Sequence, residues 1–261
     1  MIMGGYRGLR AAVAALVLVA FASAAHAAPC RTEAFEGMHY SVCTFDPAET
    51  DLRIFWRDDA RKPYRTFARL ADDLAARGME LVFAMNGGMY GVELKPIGLL
   101  IEEGRELRRA NMADAPAGIR PVPNFYKKPN GVFYIGENEA GVTEMGRFLD
   151  EAPAARFATQ SGPLLVIDGN LHPAFIEGSS DRRLRNGVGV SSPTTVHFAI
   201  SRGPVNFHDF ARFFRDRLGS DNALYLDGGS APGIYSPQLQ RNDRPGHGGY
   251  GPIIGAVRPA E

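Results

Sequence analysis

Residues 185–201 read Arg185-Asn186-Gly187-Val188-Gly189-Val190-Ser191-Ser192-Pro193-Thr194-Thr195-Val196-His197-Phe198-Ala199-Ile200-Ser201. β-branched and aromatic residues lie on both sides of Ser192-Pro193, a turn signal. The pattern predicts strands over 188–190 and 195–201, paired across that turn as a hairpin. Downstream, Asn206 is a good helix N-cap, and Phe207, Phe210, Ala211, Phe214 and Leu218 form one apolar stripe closed by Gly219. A helix over 207–218 follows. Ala223-Leu224-Tyr225-Leu226 then reads as a buried strand that stops at Asp227-Gly228-Gly229-Ser230, and 253–257 reads as a last strand. Upstream, strands are expected over 39–45 and 52–56, joined by Asp46-Pro47. Phe67, Leu70, Ala71 and Leu74 predict a helix over 66–77, stopped by Gly78. Further strands are expected over 80–85, 97–102, 131–135 and 164–167. Hairpins outnumber helices, and the regular strand–helix alternation of a doubly wound sheet is missing. The fold class is therefore α+β, with large mixed or mainly antiparallel sheets and a few packed helices. Two long irregular stretches, 109–129 and 236–251, are candidate binding loops.

The N-terminus reads as a secretory signal peptide over residues 1–27. Arg7 and Arg10 supply positive charge, Ala11 to Ala22 form an apolar core too short to span a bilayer, and Ala25-His26-Ala27 is an A-x-A cleavage site. Residues 28–261 are then expected to form one exported domain, periplasmic or secreted, with no membrane span. The chain carries 29 basic and 29 acidic residues; removing Arg7 and Arg10 leaves 27 against 29, a net charge of −2. That balance argues against nucleic acid and anionic membrane as partners. The two cysteines, Cys30 and Cys43, read as a disulfide in an exported chain, worth about 3 kcal/mol for a loop of this size.

Four polar, glycine-bearing segments each touch a predicted strand: Asn86-Gly87-Gly88-Met89-Tyr90, Gln160-Ser161-Gly162-Pro163, Arg185-Asn186-Gly187-Val188-Gly189 and Asp227-Gly228-Gly229-Ser230. Small residues leave room for a ligand, and polar side chains converging from several strand ends are the usual make-up of a small-molecule site. Asp227, directly after a buried strand, is the candidate catalytic carboxylate; its bland alternative is a turn residue. Arg185 is the candidate cation for an oxyanion, because its planar fork matches two oxygens; the alternative is an ion pair with Asp181, four residues earlier. Asn86, Gly87, Gly88, Gln160, Ser161, Gly162, Asn186, Gly228, Gly229 and Ser230 are candidate substrate-binding residues. A serine nucleophile at Ser161 or Ser230, with His197 or His208 as base, lacks the G-x-S-x-G elbow. No metal-binding motif is present, so neither a metal nor another cofactor is expected.

These segments, with Pro96-Ile97-Gly98-Leu99, Lys128-Pro129-Asn130-Gly131-Val132-Phe133, Leu164-Leu165 and Leu226, occur in an order that resembles the phosphodiester glycosidase family and its bacterial secreted members. The resemblance implies hydrolysis of a sugar-1-phosphodiester at the glycosidic C1–O bond. A carbohydrate phosphodiester is then the expected partner. A phosphate monoester is a good leaving group, since its second ionisation lies near 6. Such a reaction needs a carboxylate near the anomeric carbon and a cation on the phosphate. Two other readings stay open on the residues: a non-catalytic module binding phosphorylated glycans, and an ordinary glycosidase with a second carboxylate beside Asp227.

Overall fold

The computed structural model describes Met1 and residues 29–260; the predicted signal peptide and a mature start at Ala28 lie outside them. The chain runs β1 (Cys30–Phe35), β2 (Met38–Phe45), β3 (Asp51–Phe55), α1 (Phe67–Ala75), β4 (Met79–Asn86), β5 (Leu100–Glu102) and β6 (Arg105–Arg108). It continues with β7 (Gly131–Ile135), β8 (Ala140–Glu144), α2 (Met145–Glu151), β9 (Phe157–Ser161), β10 (Leu164–Ile167) and β11 (Asn170–Leu171). It ends with β12 (Arg185–Ser192), β13 (Thr195–Ser201), α3 (Phe207–Arg212), β14 (Asn222–Gly228), β15 (Ile234–Ser236), β16 (Arg241–Asn242) and β17 (Ile253–Pro259). The strands form a seven-stranded sheet, β1-β2-β13-β12-β14-β10-β11, and two five-stranded sheets, β16-β15-β4-β17-β3 and β6-β5-β9-β7-β8. Every pair of named strands among the described residues is antiparallel. The α+β expectation therefore holds in its antiparallel form.

The hairpin β12–β13 sits at the centre of the first sheet, in register from Asn186↔Ile200 to Ser192↔Thr195. It is longer than expected, so Arg185 and Asn186 lie within the ladder and not before it. Period-two alternation sorts the side chains. Leu224 and Leu226 of β14, with Val196, Phe198 and Ile200 of β13, face one shared core that also takes Phe83 and Ile254 of the second sheet and Phe133 and Phe157 of the third. The three sheets thus enclose a common apolar centre.

One helix covers the opposite face of each sheet. Phe207, Phe210, Phe213 and Phe214, on α3 and the wider π-type turn that extends it over Phe213–Arg217, pack on Tyr40, Val42 and Tyr225. Phe67, Leu70 and Leu74 of α1 pack on Leu81 and Ile253. Met145 and Phe148 of α2 pack on Leu99 and Val132. Helices this short do not stand alone in water; burying each Phe or Leu, worth about 1.5–3 kcal/mol, holds them on their sheets. Cys30 and Cys43 face each other across β1 and β2 and form the expected disulfide, buried in the common core.

Candidate active site

The polar motif residues lie where the three sheets meet. Asn86 ends β4 of the second sheet, and its Oδ1 accepts from Asn186 Nδ2 of the first sheet at 2.7 Å and from the Gly233 N–H at 2.9 Å. Thr159 of the third sheet donates through Oγ1 to the Gly87 carbonyl at 2.7 Å. Ser161 Oγ donates to the Leu226 carbonyl at 2.9 Å. Gln160 accepts through Oε1 from the N–H groups of Leu99 (3.0 Å) and Asn111 (2.9 Å), and donates through Nε2 to the Asn111 carbonyl (2.9 Å). Gly88 lies at φ +138°, and a Cβ there would come within 2.9 Å of Thr159 Oγ1; only glycine fits both constraints.

These bonds sort the candidates. Gln160 and Ser161 are buried and fully engaged with backbone, so they tie the third sheet and the 109–111 segment to the site. Gly87, Gly88 and Gly162 are likewise buried. Asn186 Oδ1 accepts from the Asp227 N–H at 3.0 Å, which makes one chain from Gly233 through Asn86 and Asn186 to Asp227. Asn86 Nδ2 is buried and has no partner among the described residues. An unmet donor at that depth is destabilising unless something fills it. Asp227, Gly228, Gly229 and Ser230 are the candidates that reach solvent.

Asp227 sits at a bulge. Asn186 pairs with Asp227 and Gly187 with Tyr225, which leaves Leu226 as the extra residue. Such a bulge re-aims the side chains around it. The half-buried carboxylate accepts the Gly228 N–H at 2.8 Å. Burial pushes its pKa up to about 7 and the Gly228 bond only partly offsets this; no neighbouring carboxylate or cation contributes. A carboxylate poised near neutrality is suited to acid–base work.

Arg185 has the ion pair with Asp181 that the sequence offered as its alternative, yet it is not a surface residue. It is 1% exposed. Nε donates to the Val205 carbonyl at 2.8 Å, and Nη2 to Asp181 O (3.1 Å) and Oδ2 (3.3 Å). Its guanidinium carbon lies 3.6 Å over the Phe207 ring. The fork is occupied, which corrects the expectation of a guanidinium open to two phosphate oxygens. The remaining link runs to Tyr225, whose hydroxyl is bonded by Arg185 and Asn124 and senses the Asp227 charge. Gly228 is required here as well, because a Cβ would run into that hydroxyl.

Two pockets flank the exit of β4. One, of about 460 Å³, is walled by Lys127, His172, Phe175, Ile176, Asp181 and Phe207. Lys127 Nζ lies 5.1 Å over Phe207, and burial with the nearby Arg185 charge depresses its pKa, against the pull of Asp181. The half-buried Met89 packs on the same Phe207–Tyr225 cluster. The other pocket, of about 580 Å³, includes Arg57, Arg65, Tyr90 and His247 in its wall. Tyr90 donates to the Gly249 carbonyl at 2.8 Å, and its pKa is raised by burial and by the Asp227 charge. Arg57 and Arg65 lie in no motif of the sequence, Lys127 and His247 lie in the two stretches expected to be binding loops without being singled out there, and Tyr225 was legible only as part of a buried strand.

The serine-hydrolase alternative finds no pair. His197 is held by Thr44 Oγ1 (3.0 Å) and Ser191 Oγ (3.1 Å), with its pKa pushed down to about 4 by burial. His208 lies beside Asp209 at 3.6 Å. Among the described residues no three His, Cys, Asp or Glu side chains come together as a metal cage, and no helix is long and apolar enough to cross a membrane.

Comparison with known proteins adds family and fold. The family model for phosphodiester glycosidase matches residues 79–253. The uncharacterized protein YigE of Escherichia coli (strain K12) is 31% identical over 185 residues, 71% of this chain and 70% of that protein. The zebrafish N-acetylglucosamine-1-phosphodiester alpha-N-acetylglucosaminidase catalytic domain, auto-inhibited by its pro-peptide, is similar in structure with a TM-score of 0.56. At 14% identity, the match covers 87% of this chain and 81% of that one. A putative exported protein of Burkholderia pseudomallei K96243 gives 0.51 at 12% identity, over 84% and 74% of the two chains. At such identities the two structures speak for the fold.

Proposed function

The chain belongs to the phosphodiester glycosidase family, and on that premise we propose that it hydrolyses a sugar-1-phosphodiester at the glycosidic C1–O bond. The observation that carries the reading is Asp227: a half-buried carboxylate with a pKa near 7, at a bulge, linked through Asn186 to Asn86, whose buried Nδ2 has no partner among the described residues. Asp227 acts at C1, as base to a water or as nucleophile. The C1–O bond breaks, and the oxygen leaves on the phosphate as a monoester that is stable as an anion near neutral pH. Little acid assistance is needed, which fits a site where no second carboxylate shifts Asp227. An ordinary glycosidase needs two carboxyl groups about 5–10 Å apart. Asn86 Nδ2 binds a sugar or phosphate oxygen, and Gly228, Gly229 and Ser230 line the approach. Arg185 acts through Tyr225, holding its hydroxyl beside Gly228, and supplies positive charge from behind.

The protein works outside the cytoplasm, with residues 1–27 removed; the Cys30–Cys43 bridge supports this. The intact mass of the exported protein should correspond to a chain starting at Ala28 without free thiols, and two free thiols in the folded product would count against it. The test of the reaction is steady-state kinetics on a methyl phosphodiester of N-acetylglucosamine-1-phosphate. Asp227→Asn should lower turnover at least ~10²-fold, the loss typical of a missing acid–base group. Near wild-type turnover in a folded variant would remove Asp227 from the mechanism. Tight binding without turnover in the wild type would favour the glycan-binding module.

A further inference from the structure

The pocket beside Tyr90 is built for a negative charge that the proposed reaction at C1 does not itself explain. Arg57 and Arg65 both line it, with His247, Tyr90 and Glu93. Neither arginine has a carboxylate partner within ion-pair distance among the described residues. Glu93, the acid in the wall, is paired with Lys95 at 2.6 Å, and its charge is also felt by Arg57. The guanidinium carbon of Arg57 lies 3.7 Å from the centroid of the Trp56 ring, and Trp56 is itself fixed by a bond from Nε1 to the Leu94 carbonyl at 2.9 Å. The Arg57 Nε is buried with no partner. Arg65 is anchored through Nε (3.1 Å) and Nη2 (2.7 Å) to the Gly248 carbonyl, leaving its Nη1 side unclaimed. Two held guanidinium groups with open donors are a site for an oxyanion.

Tyr90 is a wall of this pocket, its hydroxyl lies 3.3 Å from His247 Nε2, and it senses Asp227. The pocket therefore adjoins the reacting centre without containing it. Arg57 and Arg65 also precede the span shared with the family model, residues 79–253, whereas Asp227, Asn86, Asn186 and Arg185 all fall within it.

We propose that the Arg57–Arg65 pocket binds a second phosphate of the substrate, next to the phosphodiester that is cleaved, so that this protein acts on a glycan carrying phosphate at successive positions. The proposal rests on the glycosidase reading for the word substrate, but not for the binding site.

The experiment has a binding arm and a turnover arm. Calorimetric titration with glycerol 3-phosphate, a phosphomonoester on a neutral tail, should show binding to the wild type. Arg57→Gln should weaken it at least tenfold, and Asp227→Asn should leave it within about twofold. Arg65→Lys, which keeps the charge and one bond to Gly248, serves where Arg65→Gln loses structure; it should weaken binding severalfold. In the turnover arm, a sugar-1-phosphodiester whose alcohol bears a second phosphate should have a lower KM than its methyl counterpart. Arg57→Gln should abolish that difference and leave the methyl diester unchanged. No binding of glycerol 3-phosphate to the wild type would overturn the proposal, as would equal binding to Arg57→Gln in a protein with wild-type melting behaviour. A KM preference for the second phosphate that survives Arg57→Gln would also overturn it. Arg57-dependent binding in a protein that cleaves neither diester would uphold the anion site and fail the glycosidase reading alone.

Discussion

Asp227 is the residue on which the reading turns, and its charge has consequences that can be measured apart from catalysis. Burial raises its pKa from 3.8 to about 7. Between those values the folded protein holds a proton that the unfolded chain has lost. Stability from this group is therefore full below about pH 4, falls as pH rises toward 7, and is level above. Asp227→Asn cannot ionise, so it should melt higher than wild type at pH 8 and no higher at pH 4. The rise should be several degrees, up to about 10 °C: each pKa unit is about 1.4 kcal/mol before discounting for solvent near a half-buried carboxylate, and 1 kcal/mol moves Tm by about 2–4 °C in a chain of this size. Thermal melts of both proteins at the two pH values check this, and a lower Tm for the variant at pH 8 would show Asp227 to be a structural turn residue. If Asp227 works ionised, kcat/KM should climb through an apparent pKa near 7, and a flat profile from pH 5 to 8 would contradict that role. Position and type made Asp227 legible in the sequence. Arg185 was legible as a charge with Asp181 in reach, but nothing in Arg185-Asn186-Gly187 says that Val205 and Phe207 will enclose its guanidinium.

Helix α3 shows how an element places the site. Asn206 Oδ1 caps it by accepting the Asp209 N–H at 2.8 Å, and its Nδ2 donates to the Ser179 carbonyl at 3.2 Å. The first residue of the helix, Phe207, is the ring beneath Arg185 and beside Lys127. Asn206→Ala should destabilise by about 1–2 kcal/mol, the usual worth of a cap, seen as a lower urea midpoint with an unchanged slope. Its effect on turnover should be small at temperatures where the variant stays folded; an unchanged midpoint would mean that the cap is dispensable. Helices α1 and α3 were readable because apolar stripes and terminal glycines agreed. Thr66, expected as the first residue of its helix, is the N-cap of α1, and Gly219 at φ +65° closes its helix as expected. β1 and β6 were not readable: Cys30–Phe35 and Arg105–Arg108 are edge strands with little apolar alternation. β9 was hidden for another reason. Its Thr159, Gln160 and Ser161 are polar yet buried: Thr159 and Ser161 bond across the seams to the other two sheets, and Gln160 bonds the backbone of Leu99 and Asn111. Polar residues in a row read as a loop until the other two sheets are present to receive them.

At the scale of the molecule, three antiparallel sheets share one core, and the candidate site occupies the line where they join. The same glycines and amides that looked like a binding signature hold that junction together, so the ordered motifs report architecture and chemistry at once. On the proposed reading, Asp227 at the bulge is where the junction meets its substrate. The central claim is that the bond broken is the sugar's C1–O bond, which makes the protein a glycosidase and not a phosphatase-like phosphodiesterase. Hydrolysis of the methyl N-acetylglucosamine-1-phosphodiester in ¹⁸O-water, with mass analysis of both products, tests it directly. The account predicts the heavy oxygen on the sugar's anomeric hydroxyl and none in the methyl phosphate. Heavy oxygen in the phosphate, with an unlabelled sugar, would contradict it.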